Sequence, residues 1–182
     1  MGLDMYLYRK TYVKNWRHMQ PEQLHHIEIK RGEFIRQDIK PERIAYIIEE
    51  VAYWRKANQI HKWFVDNVQD GVDECQESSV EREKLGELVA LCKKVIENAE
   101  LVDGKIHNGT TIEKGVATEN YEDGKVLAQP GVAAALLPTA SGFFFGGTEY
   151  DEYYLEDLKD TVEQLEPLLD DTEGEYIYRA SW

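Results

Sequence analysis

The chain has 182 residues, 42% of them hydrophobic, and a formal charge of −14. That apolar content supplies a core and excludes a disordered chain. The acidic balance excludes bulk binding to a phosphate backbone, which requires a basic surface. It is compatible with plain solubility, with competition for basic partners as a nucleic-acid mimic or inhibitor, and with a small anion held in a local basic pocket.

The length fits one domain over 1–182 with an insertion. Residues 1–13 contain Asp4, Arg9 and Lys10 and alternate in polarity, unlike a signal peptide. No apolar run approaches the roughly 20 residues of a membrane span. The expectation is a soluble protein of the cytoplasm, without membrane contact.

Residues 3–13 read as a strand, with Leu3, Met5 and Leu7 on one face and Asp4, Tyr6, Tyr8 and Tyr12 on the other. Large side chains on both faces predict a central strand. Residues 26–36 read as a short hairpin around Lys30, Arg31 and Gly32. A long helix is predicted over 41–68, with Pro41 in its first turn, a stripe of Ile44, Ile47, Ile48 and Val51, and a stop at Asp70-Gly71. Continued at about 100° per residue, that stripe reaches Arg55, Asn58 and Lys62 within about 40° of its centre. Ser78 and Glu81 form a capping-box pattern before a second helix with the stripe Leu85, Leu88, Val89, Cys92, Val95 and Ile96.

Residues 100–131 read as a β-hairpin insertion. Asp103-Gly104-Lys105 and Asp123-Gly124-Lys125 are predicted as turns of one or two hairpins, serving as a lid or a subunit contact. Residues 132–137 suggest a short helix stopped by Pro138. The loop 139–147 contains Phe143, Phe144 and Phe145 between Gly142 and Gly146-Gly147. Thr148 with Asp151 is predicted to cap a third helix, striped by Tyr154, Leu155, Leu158, Val162, Leu165, Leu168 and Leu169. Residues 176–182 alternate as a strand that fits beside the first. The fold class is therefore α+β: a small antiparallel sheet including both termini, covered by three main helices.

Arg, Asn and Lys on an inward face each require a partner. Either a bound anion meets Arg55, Asn58 and Lys62, with Trp54 and His61 on the rim, or Arg55 pairs internally with Asp4 or Asp151. Arg forks onto phosphate or carboxylate, Asn reads an amide or base edge, and Trp54 can stack on a flat ring. The loop offers the complement. Glycines allow close backbone approach to a ligand, a helix N-terminus follows, and Thr139, Ser141 and Thr148 add hydroxyls. The candidate ligand-binding set is Trp54, Arg55, Asn58, His61, Lys62, Ser141, Gly142, Phe143, Gly146 and Thr148. The plainer alternative is that the phenylalanines plug the core.

Catalytic signals are weaker. The five histidines form no metal-binding pair, and Cys75 and Cys92 form no Cys-x-x-Cys, so neither a metal nor a cofactor is expected. Ser141 lacks a nucleophile elbow. His61 with Asp151 or Glu50 could serve acid–base work, but nothing in the pattern marks them out.

Three segments carry a resemblance: Met1-Gly2-Leu3-Asp4-Met5-Tyr6-Leu7-Tyr8, Tyr53-Trp54-Arg55-Lys56-Ala57-Asn58-Gln59-Ile60-His61-Lys62-Trp63-Phe64, and Leu137-Pro138-Thr139-Ala140-Ser141-Gly142-Phe143-Phe144-Phe145-Gly146. Over most of its length the chain resembles a group of uncharacterised proteins of phages, prophages and their bacterial hosts. The resemblance implies no activity, but its setting suggests counter-defence in the host cytoplasm. The leading expectation is non-catalytic sequestration of a small anionic ligand, a nucleotide or nucleotide-derived host signal. The alternatives are a protein–protein inhibitor of a host enzyme and an enzyme acting on a nucleotide-like substrate. Homo-oligomer formation is left open.

Overall fold

The computed structural model describes residues 2–113, 116–142 and 145–182. Strand β1 (Asp4–Tyr12) is followed by a small hairpin, β2 (Lys30–Arg31) and β3 (Phe34–Ile35), and by β4 (Tyr46–Arg55). Helix α1 (Asn58–Val68), strand β5 (Ser78–Val80) and helix α2 (Arg82–Glu97) come next. A two-stranded ribbon, β6 (Leu101–Glu113) and β7 (Val116–Leu127), leads to α3 (Gly131–Leu136), α4 (Glu152–Leu165) and β8 (Glu175–Ser181). The main sheet is antiparallel in the order β4-β1-β8-β5. The fold is α+β, with the first and last strands paired at its centre.

The predicted helix over 41–68 is corrected. Pro41–Arg43 is a single 3-10 turn, Tyr46–Arg55 is strand β4, and only Asn58–Val68 is α-helical. Ile44, Ile47, Ile48 and Val51 do match a helical period, but Tyr46–Arg55 is rich in β-branched and aromatic residues, which suit a pleated surface. Pairing with β1 then satisfies its backbone. Ala52 and Trp54 point into the core, while Ile48 and Tyr53 face outward. The wheel linking Arg55, Asn58 and Lys62 therefore has no physical basis.

The strand ends at Arg55 because the chain turns sharply there. Lys56 adopts φ +62°, its N–H donates to the Leu3 carbonyl at 2.8 Å, and its own carbonyl accepts from the Asn58 N–H at 2.8 Å. Helices α1, α2 and α4 then cover one sheet face. Leu3, Met5, Leu7, Trp54, Tyr176 and Tyr178 pack there against Ile60, Phe64, Leu85, Leu88, Cys92 and Leu158. The Phe64 and Tyr178 rings stack with centroids 3.9 Å apart. Cys92 is buried in this core as a small apolar group.

Three further expectations change. The two Asp-Gly-Lys triplets are not turns: Gly104 lies opposite Gly124 inside one long ribbon. A Cβ at Gly104 would sit 2.6 Å from Val126, and one at Gly124 would sit 2.7 Å from Ile106. The glycines make room for cross-strand neighbours. Ser78 belongs to β5 and caps nothing, and Glu81 at the N-cap of α2 makes no side-chain cap bond. The cap of α4 is Asp151 itself, whose Oδ1 accepts from the Tyr154 N–H at 2.9 Å, and not Thr148.

Strand alternation at β4 makes a direct prediction. Ala52→Glu buries an unpaired carboxylate among the core side chains and should cost roughly 3–5 kcal/mol. Arg55→Ser, on the opposite face, should change stability by less than about 1 kcal/mol. Urea denaturation of both variants measures the difference.

Candidate functional site

A cleft of about 630 Å³ lies where the β4–α1 corner, the loop 139–147, the start of α4 and strand β6 meet. Arg55, Lys56, Asn58 and Gln59 line it from the corner. Thr139, Gly142, Gly146 and Gly147 line it from the loop, and Glu149, Asp151, Tyr153, Tyr154 and Asp157 from the entry and early turns of α4. His107 and Gly109 contribute from the ribbon.

Asn58 builds this cleft. It is only 2% exposed, and its amide bonds three backbone groups of the loop. Nδ2 donates to the carbonyls of Phe145 (3.1 Å) and Gly147 (2.6 Å), and Oδ1 accepts from the Ala140 N–H at 2.8 Å. These partners fix the amide's orientation. Gly146, at φ +89°, lets the loop press on the corner: a Cβ there would lie 3.1 Å from Lys56 Cβ and 3.3 Å from the Lys56 carbonyl oxygen. A Cβ at Gly142 would meet the Phe145 ring at 2.6 Å. Both glycines serve loop packing.

The other sequence candidates scatter. Arg55 lines the cleft with a side chain 61% exposed, its Nε 4.0 Å from Asp4 Oδ1, so the expected internal partner Asp4 is met only at the margin of an ion pair. Lys62 pairs with Asp66 at 2.8 Å on the outer side of α1. Trp54 is a core residue, its Nε1 donating to Thr161 Oγ1 at 2.9 Å. His61 is 1% exposed, with Nδ1 2.8 Å from the Tyr178 hydroxyl and Nε2 3.0 Å from Asp73. Ser141 and Thr148 are exposed and outside the cleft lining. Phe143 and Phe144 lie outside the described residues.

The structure adds residues that the sequence reading passed over, chiefly Lys56, Gln59 and Asp157. Asp157 falls three residues after Tyr154 and four before Thr161, on the border of the buried stripe of α4. Its carboxylate accepts from Gln59 Nε2 at 2.9 Å. Burial nevertheless pushes its pKa up to about 6, with nearby Asp160 and Asp151 adding to the shift and the Gln59 bond opposing it. Burial also raises the Asp151 carboxyl, against the pull of the Tyr154 and Tyr153 N–H groups. An acid at the edge of an apolar stripe was the available signal.

The cleft is thus bipolar, with the cations Arg55 and Lys56 on the corner and acids along α4. Among the described residues, no group of three or more His, Cys, Asp or Glu could hold a metal ion, and no helix is long and apolar enough to cross a membrane. In comparisons with protein-family models, curated proteins and solved structures, the chain matches none of them.

Two predictions follow from this geometry. Asn58→Ala leaves three loop backbone groups unpaired and should cost about 2–3 kcal/mol. Asn58→Asp should cost more, because its carboxylate would face the Phe145 and Gly147 carbonyls without a donor. Thermal melting ranks the two variants.

The Asp157 carboxyl loses its proton near pH 6 in the fold, against 3.8 for the ordinary group. The folded chain holds that proton more tightly, so the parent loses stability as pH rises through this window. Asp157→Asn should therefore stabilise the protein at pH 7.5 by roughly 1–3 kcal/mol. That advantage should shrink toward zero between pH 6 and pH 3 in urea titrations.

Proposed function

We propose that the cleft binds a small anionic ligand without turning it over, and that this ligand is a nucleotide or a nucleotide-derived signal. One observation carries the reading: two residues whose placement costs stability line the same cleft beside Arg55. Lys56 holds a left-handed backbone conformation at φ +62°, which costs a side-chain-bearing residue on the order of 1 kcal/mol. Asp157 keeps a carboxylate where burial opposes its charge. A fold selected for stability alone would favour Gly at 56 and a neutral side chain at 157, which supports the reading of this cleft as a binding site.

The chemistry suits the parts of a nucleotide. Arg55 and Lys56 supply a fork and a point charge for phosphate. Asp157 and Gln59 offer paired acceptor and donor groups to a base or ribose edge. Tyr153, 55% exposed, offers a ring for stacking. His61 gives the enzyme reading no support, since both of its ring nitrogens are engaged away from the cleft. With the resemblance to phage and prophage proteins, the role becomes sequestration of a host defence signal in the host cytoplasm.

Calorimetric titration with nucleoside mono-, di- and cyclic phosphates tests this. Saturable binding without turnover is expected. Lys56→Gly should bind at least tenfold more weakly while melting at or above the parent temperature, because glycine relieves the left-handed strain. Absence of binding across the panel at millimolar ligand, or Lys56→Gly binding like the parent, would contradict the proposal.

A further inference from the structure

The cleft has two chemically different ends. Arg55 and Lys56 mark the corner, and α4 with its entry carries the acids. A nucleotide lying in it sets its phosphate at the corner and turns its base toward α4, because carboxylates repel phosphate. Of those acids, Asp151 already accepts the Tyr154 N–H at 2.9 Å, and Glu149 accepts the Thr148 N–H at 2.9 Å. The half-buried Asp157 accepts from Gln59 Nε2 at Oδ2, 2.9 Å away, and among the described residues its Oδ1 has no partner. Gln59 is only 2% exposed, yet it lines the cleft. Its amide carries a second N–H, which no group among the described residues accepts.

We propose that the base of this ligand is guanine, read by Asp157 and Gln59 at the edge that carries its N2, N1 and O6 atoms. The assignment rests on the nucleotide reading above. The pair presents two acceptors and then a donor: Asp157 Oδ1, Asp157 Oδ2 and the remaining Gln59 N–H. The matching edge must offer two donors and then an acceptor. Guanine does so with its 2-amino group, its N1–H and its O6. Adenine offers one donor beside an acceptor, and cytosine one donor before two acceptors. Both leave Oδ1 unpaired when they meet the other two groups. Uracil flanks its single donor with oxygens and sets one of them against Oδ1.

Tyr153 supports a base in this position rather than a ribose. It precedes Asp157 by one turn, lies on the same side of α4, lines the cleft and is 55% exposed. Its ring can stack on a flat base, and a ribose offers it no flat face. The other stacking surface is the face of the main sheet opposite the helices. There Tyr6 stacks on Tyr8 with centroids 5.9 Å apart and meets Tyr53 at 5.3 Å. This tyrosine face would take any base alike, because every base has a π-face. Selection at the edge distinguishes the cleft from it.

Calorimetric titration at pH 7.5 with the 5′-monophosphates of guanosine, inosine, adenosine, cytidine and uridine tests the inference. At that pH the Asp157 carboxyl, which burial pushes up to about 6, is charged. Inosine lacks only the 2-amino group of guanosine, so it isolates the Oδ1 contact. Guanosine monophosphate should bind about tenfold or more tightly than the other four. Asp157→Asn should bring it down to their level without lowering the melting temperature. Lys56→Gly should weaken all five and keep their order, because it acts at the phosphate end. If none of the five binds, the nucleotide reading falls and this inference with it. Affinities equal within about threefold overturn the guanine assignment alone, since a ribose on Asp157 or a base on the tyrosine face would give that result. A guanosine preference that survives Asp157→Asn overturns it too. Agmatine, a guanidinium without a phosphate, binding more tightly than any of the five would overturn both.

Discussion

The cleft depends on one buried amide. Asn58 sits where strand β4 has just become helix α1, and its side chain holds three backbone groups of the loop 139–147. Those bonds act beside the Phe145 ring, which packs edge-on to His61, and the Thr139 hydroxyl, which donates to the Thr148 carbonyl at 3.0 Å. The corner is held from the other side by the Lys56 N–H on the Leu3 carbonyl, so the central strand, the turn and the loop form one joint. A buried polar group that satisfies several partners at once specifies a single arrangement, because each alternative leaves backbone groups unpaired.

Once the joint is set, the electrostatics of the cleft follow. Gln59, next to Asn58 on the first turn of α1, is buried and reaches Asp157 on α4. Arg55 and Lys56 precede the joint and project at the edge of the same space. The fold therefore places the cations Arg55 and Lys56 and the half-buried acid Asp157 around one cavity. The core lies elsewhere, in the stack of Phe64 on Tyr178 and the apolar faces of α2 and α4.

Much of the fold was legible in the sequence. The alternation of Leu3, Met5 and Leu7 placed the first strand, and its two bulky faces placed it centrally. The stripes of α2 and α4 and the final strand followed from periodicity. The failure at 41–68 came from Ile44, Ile47, Ile48 and Val51, whose spacing fits a helix although their branched side chains favour a strand. Pairing with β1 decided between the two, and pairing is a long-range property. The Asp-Gly-Lys triplets failed for the same kind of reason: each is a turn by local preference, and each lies mid-strand because the other faces it. At the site, Arg55, Asn58, Gly142 and Gly146 were singled out and do line the cleft, though Asn58 and the glycines act on the loop. Lys56 and Asp157 were missed because their significance lies in a backbone angle and in burial, which no spacing reveals.

The central claim is that the space around Lys56 and Asp157 holds a small anionic ligand. Amide-resolved nuclear magnetic resonance, with a nucleoside phosphate titrated into isotopically labelled protein, tests it most directly. The account predicts saturable shifts concentrated at Lys56, Gln59, Gly146 and Asp157, with the amides of α2 unmoved. Shifts centred on the tyrosine face, or none at millimolar ligand, would contradict it.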